Sequence, residues 1–118
     1  MSLDANDPLT FYLRELGTIP PLTRDEESDL LKHVRSHDEV AESAAKCLIE
    51  AHLSLVVSIA ERNLSSGVPL LDLVQKGNEA LFLALQDFTS DSGDSFSAYA
   101  ATYIEHAISK AIADDAEI

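Results

Sequence analysis

Apolar residues along this chain return at steps of three and four, the spacing that lines one side of an α-helix, and seldom alternate as strand residues do. Asp7-Pro8 reads as a helix start, a capping side chain followed by the residue that tolerates a missing first amide. Leu9, Tyr12, Leu13 and Leu16 then repeat in helical phase, and Gly17 is placed for a carboxyl-end cap. Ile19-Pro20-Pro21-Leu22 is extended, because proline bars its predecessor from helical backbone. Thr23-Arg24-Asp25-Glu26 is a capping box that opens a second helix, with Leu30, Leu31 and Val34 on one face, fading at Ser36-His37-Asp38.

A third helix is predicted from about Val40 to Arg62, with Ala44, Cys47, Leu48, Ala51, Leu55, Val56 and Ile59 as its apolar positions. Val56-Val57-Ser58-Ile59 alone would suit a strand, but the longer helical period surrounds it. The turn Ser65-Ser66-Gly67-Val68-Pro69 leads to a fourth helix over Leu70 to Phe88, with Leu71, Val74, Leu81, Leu85 and Phe88 in phase. Gly77 in its middle costs about 1 kcal/mol against alanine, which calls for a bend or a close helix contact. After a polar loop from Thr89, Ser95 caps a last helix with an apolar stripe of Phe96, Tyr99, Ala100, Tyr103, Ile104, Ala107, Ile108, Ala111 and Ile112. The fold class is all-α: an amino-terminal helix pair packed on, or hanging from, a three-helix body.

Composition narrows the function. The 118 residues hold 46% apolar and 25% charged side chains, the balance of a globular domain. Eight Lys and Arg against 21 Asp and Glu give a net charge of −13, which excludes a basic protein that coats nucleic acid. No apolar run approaches the roughly 20 residues of a bilayer span, and the polar start MSLDANDP is no signal peptide, so no membrane partner is expected. The lone Cys47 lies in an apolar stretch, which predicts a buried thiol and a reducing cytoplasm.

Catalytic chemistry finds no support. His33, His37, His52 and His106 are scattered, and the pair at 33 and 37 shares a helical face without the residues that accompany a metal-binding pair. Asp114-Asp115 and the pair Asp91 and Asp94 sit in acidic stretches that read as solvated charge, Cys47 has no assigned base, and no glycine-rich phosphate loop occurs. No enzyme activity, metal or cofactor is expected.

Three segments carry a family resemblance: DPLTFYLRELGTIPPLTRDEESDLLKHV, then LIEAHLSLVVSIAERN, then LLDLVQKGN with FSAYAATYIEHAISKAIAD. In this order they resemble bacterial RNA polymerase sigma factors of the sigma-70 class, and cover nearly the whole chain. Residues 1–38 are similar to region 1.2, and residues 39–118 to region 2, the helical domain that binds core polymerase and the −10 promoter element. The resemblance includes none of the family's carboxyl-terminal promoter-reading regions, so it implies a sigma-like fragment or a minimal sigma protein.

It also implies two surfaces. The helix matching Leu70 to Phe88 docks, in the family, on a coiled coil of the polymerase β′ subunit, and Asp72, Gln75 and Asn78 match the polar contact positions. Lys76 departs from the pattern, since the family usually has an acid there. On the promoter side, Phe96 and Tyr99 stand at matching aromatic positions, Thr102 and Tyr103 replace a tryptophan pair, Glu105 replaces an arginine, His106 replaces a base-reading glutamine, and Lys110 keeps a cation. Tyr12 and Arg14 match residues that lie near DNA just downstream of the −10 element. Residues 88–118 hold six acids (Asp91, Asp94, Glu105, Asp114, Asp115, Glu117) and one base, Lys110, a net charge of −5 that repels phosphate. Phe96, Tyr99 and Tyr103 also lie on the apolar stripe, so core packing competes with base stacking as their role.

The expected function is a transcription initiation domain that binds core RNA polymerase, with weakened −10 DNA recognition. Two alternatives stay open: an acidic sigma mimic that occupies the polymerase or an anti-sigma protein without opening promoters, and a helical interaction module outside transcription, for which Lys76 is the hint.

Overall fold

The computed structural model describes residues 8–88 and 95–116. Among the described residues five α-helices follow one another: α1 (Pro8–Gly17), α2 (Arg24–Ser36), α3 (Ala41–Glu61), α4 (Leu70–Asp87) and α5 (Phe96–Ala116), with a 3-10 turn at Leu64–Ser66. No strand occurs among the described residues, and the all-α expectation holds. The capping side chain of Asp7, the acidic loop with Asp91 and Asp94, and Glu117 lie outside the described residues.

The chain divides into two compact units within α3, residues 1–54 and 55–118. In the first, Thr23 forms the anticipated reciprocal cap: the Glu26 amide donates to its hydroxyl at 3.1 Å, and its own amide donates to the Glu26 carboxylate at 2.9 Å. That bond to the Thr23 amide holds the Glu26 carboxyl below its ordinary range. The end of α1 corrects the sequence reading. Gly17 is not in the left-handed region; the Thr18 amide and hydroxyl instead donate to the Glu15 carbonyl at 3.1 and 2.7 Å. The left-handed cap falls on His37, with φ of 52°, at the end of α2.

Asp38 stitches α2 to α3. His33 Nδ1 donates to its Oδ2 at 2.6 Å, Ser36 Oγ donates to the same oxygen at 3.0 Å, and the Val40 amide donates to Oδ1 at 3.0 Å. The bond from His33, with smaller contributions from Ser36 and Val40, holds the Asp38 carboxyl below its ordinary range. Buried His52 donates Nδ1–H to the Leu48 carbonyl at 2.7 Å and turns Nε2 toward Glu27 at 3.8 Å.

The second unit is organised by the packing of α4 against α5. Leu73, Val74, Gly77, Ala80, Leu81, Ala84 and Leu85 form the buried side of α4, and Phe96, Ala100, Ile104 and Ile108 that of α5. Val56, Ile59 and Ala60 from the end of α3 are buried with them. Gly77 explains itself here: a Cβ at that position would come within 2.5 Å of Val56 Cγ1 and 3.4 Å of Ile104 Cγ2. A close helix contact, rather than a bend, is therefore what the glycine serves. Gly67, with φ of 91°, makes the left-handed turn that ends the 3-10 segment.

Three sequence expectations are corrected. Leu71 is not in the core; Leu73 takes its place. Cys47 is exposed rather than buried. The 21-residue α3, with a mean hydropathy of 1.4 over its most apolar window, is long and apolar enough to cross a membrane by those measures alone. Part of that apolar length is used in packing, since Ala44, Leu48, Val56, Val57, Ile59 and Ala60 are buried within the protein.

Two outcomes follow from this packing and capping. Gly77→Ala should destabilise the protein by about 1–3 kcal/mol, because β-branched Val56 cannot swing aside freely. An open helix site would instead gain about 1 kcal/mol, so a urea melt showing equal or greater stability contradicts the close contact. For Asp38, a lowered carboxyl pKa means that its contribution is present above the ordinary carboxylate range and is lost as pH falls through the lowered value. Wild type and Asp38→Asn should therefore differ in melting temperature near neutral pH and converge in acid; a constant gap contradicts the assignment.

Candidate docking face and nucleic-acid interface

Pro69 starts α4 without a side-chain cap: its carbonyl accepts the Asp72 and Leu73 amides at 3.0 and 3.2 Å, and Asp72 in the first turn suits the positive end of the helix. With the Leu73–Leu85 side turned inward, the opposite side is presented outward. Leu71, Gln75, Asn78 and Phe82 recur at steps of four, three and four, so they form one stripe along α4. Leu71 is 50% exposed and Phe82 54%, Gln75 is exposed and Asn78 half-buried. Asp72, Lys76 and Leu83 border the stripe, all exposed. The positive charge of Lys76 is partly answered by Glu79 one turn on, at 3.9 Å. Two large apolar side chains bracketing two amides make a face suited to another protein, since single exposed apolar residues are ordinary but an aligned set is not.

On α5, the Ser95 hydroxyl accepts the Ala98 amide at 3.2 Å and starts the helix as anticipated. The aromatic residues then divide. Phe96 is fully buried and edge-on to Phe88, with ring centroids 5.5 Å apart, so in this structure it offers no face to a base. Tyr99 and Tyr103 are half-buried, 5.0 Å apart, and Tyr99 meets Phe88 edge-on at 5.2 Å. The Tyr103 hydroxyl donates to Asp87 Oδ2 at 2.8 Å and lies 3.1 Å from the Tyr99 hydroxyl. The Tyr99 bond and the Asp87 carboxylate together push the Tyr103 phenol above the ordinary tyrosine range.

The other edge of α5's outward side carries Glu105, whose carboxylate lies 3.9 Å from the Arg62 guanidinium, both side chains well exposed at 57% and 64%. Asn63 and Ser109 line the same hollow. Thr102, His106 and Lys110 are exposed between the two edges. Lys110 also lines a groove of about 230 Å³ between α4 and α5, together with Lys76, Glu79 and Asp114. In the first unit, Tyr12 is half-buried and Arg14 exposed on α1. Among the described residues no cluster of three or more His, Cys, Asp or Glu is placed to hold a metal.

A helical domain with an outward amide-and-apolar stripe on one helix and a mixed aromatic and acidic face on the next is a recognition module in form. Comparison with known proteins gives it a family. The Sigma-70 region 2 family matches residues 48–117, and the Sigma-70 factor region 1.2 family matches residues 7–39. The chain is 45% identical over 111 residues to RNA polymerase sigma factor SigA of a Bacillus species, covering 94% of this chain and 29% of that protein. It is likewise 45% identical to SigA of Clostridium acetobutylicum and 44% identical to SigA of Lactococcus lactis subsp. cremoris, with 94% of this chain covered in each case. The chain belongs to the sigma-70 family and spans under a third of the length of these curated relatives.

Sequence reasoning placed Asp72, Gln75 and Asn78 outward; Asp72 and Gln75 are exposed as expected, but Asn78 is half-buried with its Oδ1 sealed from solvent, and Leu71 and Phe82 were missed. Both stand in phase with Gln75 and Asn78, but Leu71 is no farther in phase from Leu85 than from Gln75, so periodicity alone does not separate it from the core set. The partners Asp87 and Arg62 were also missed, since only the folded chain brings them to Tyr103 and Glu105.

The Tyr103 bonds have a direct readout. A raised phenol pKa means their stabilisation is present below the ordinary tyrosine range and is lost as pH rises above it. Of the three tyrosines, one should ionise late in an absorbance titration, and Asp87→Asn should bring it earlier. An unchanged titration curve in that variant contradicts the hydrogen-bonded arrangement.

Proposed function

We propose that this chain is the polymerase-binding part of a sigma-type transcription initiation factor, acting in the cytoplasm and docking through α4 on the β′ coiled coil of core RNA polymerase. The observation that carries this reading is the outward stripe of Leu71, Gln75, Asn78 and Phe82, flanked by Asp72 and Lys76. Its exposed Gln75 amide supplies directional hydrogen bonds, and its two apolar side chains supply area to be desolvated at an interface core. Relatives named as RNA polymerase sigma factors support the same partner. Recognition of −10 promoter DNA through Tyr99, Tyr103, His106 and Lys110, with Tyr12 and Arg14 downstream, is weakened by the acidic surroundings.

A second reading is favoured by one observation: Glu105, standing where the family has an arginine, is placed against the neighbouring cation Arg62. On that reading the chain is an acidic sigma mimic that binds polymerase, or an anti-sigma protein, without opening promoters. Promoter opening by a reconstituted holoenzyme eliminates it.

The test of the first reading is affinity for bacterial core polymerase by surface-immobilised binding. Gln75→Ala with Phe82→Ser should weaken binding at least about tenfold, equivalent to about 1.4 kcal/mol, while circular dichroism stays unchanged because both side chains point outward. Equal affinity in this variant removes α4 as the docking element.

A further inference from the structure

The outward side of α5 is bounded by two carboxylates of the same chain, each engaged with a group that a nucleic acid strand would use. Glu105 lies 3.9 Å from Arg62 on one edge, and Asp87 accepts the Tyr103 hydroxyl at 2.8 Å on the other. Between the edges run Thr102 and His106. We propose that Glu105 and Asp87 are specificity-determining residues that occupy Arg62 and Tyr103 in cis and so weaken the hold of α5 on a single-stranded DNA backbone and its bases.

The argument is one of chemistry and position. The second unit contains three basic side chains, Arg62, Lys76 and Lys110. Lys76 is set against Glu79 at 3.9 Å, and Lys110 shares its groove with Glu79 and Asp114. Arg62 is thus the cation of the Glu105 hollow, and its guanidinium could otherwise take a phosphate. An exposed pair at this distance is weak as a bond. Its effect lies in charge placement: a carboxylate beside Arg62 cancels the counterion release that drives phosphate binding and repels the strand as well. On the opposite edge, the stacking faces of Tyr99 and Tyr103 are turned partly toward each other and Phe88, and Asp87 holds Tyr103 in that arrangement. A base would have to displace a ring already engaged.

The inference rests on the sigma reading for its choice of nucleic acid, but the two fail separately. The full chain is titrated against a fluorescein-labelled, A/T-rich single-stranded oligonucleotide by anisotropy, from about 50 to 200 mM salt. Glu105→Gln should tighten binding roughly threefold or more at the low end and steepen the log–log salt slope by about 0.7, the value for one added phosphate contact. Arg62→Ala should abolish that gain in the double variant. Asp87→Ala, which removes the acceptor that holds Tyr103, should add a further gain to Glu105→Gln. Asp115→Asn removes an equal charge elsewhere on α5 and should give less than Glu105→Gln.

Equal gains from Glu105→Gln and Asp115→Asn would reduce the effect to net charge and overturn the proposal, as would an unchanged salt slope in Glu105→Gln. Those results leave core-polymerase binding by α4 untouched. Loss of core binding in the wild-type chain with the Glu105→Gln gain intact removes the sigma reading alone.

Discussion

The second unit turns on the meeting of Gly77 with Val56, Ile104 and Ile108. Without a side chain at Gly77, α4 can lie against the end of α3 and the middle of α5 at a distance no other residue permits. That contact fixes how α4 is rotated about its axis. Once Gly77, Leu73, Ala80 and Ala84 face inward, Leu71, Gln75 and Phe82 are left exposed and Asn78 sits at the border, half-buried. The helix pays about 1 kcal/mol in propensity for an interior glycine and in exchange is held in one rotational orientation.

Charge shapes the two faces differently. On α4 the exposed polar group between the apolar residues is the Gln75 amide, whose hydrogen bonding does not depend on net charge, and exposed Leu71 and Phe82 would gain from desolvation whatever the salt. A surface of that kind tolerates a chain carrying −13 overall. The outward side of α5 does not, because phosphate recognition depends on the local sign of the potential. The same excess of acid would therefore weigh differently on the two proposed faces.

Much of this was legible in the sequence where the signal was local. Thr23 with Glu26, Ser95 ahead of Phe96, and the turn at Gly67 each state their structure within four residues, and each was found as read. The errors share a cause in long-range packing. Leu71 passes for a core residue because leucine beside leucine hides the phase, and only the depth of Leu73 in the folded unit decides between them. Cys47 sits among apolar neighbours in sequence, yet a helix buries only part of its circumference and the thiol falls on the rest. The engagement of Tyr103 by Asp87 spans sixteen positions, and no periodicity announces it. Gly17 looked like a left-handed cap, but Thr18 offered the terminal carbonyl a hydroxyl and an amide and made that conformation unnecessary.

The exposed thiol on α3 has a practical meaning. Cys47 is the sole cysteine of the chain, and it lies outside both the α4 stripe and the outward side of α5. A maleimide fluorophore would attach there stoichiometrically to the unmodified protein, giving an environment-sensitive or energy-transfer reporter with no engineered handle.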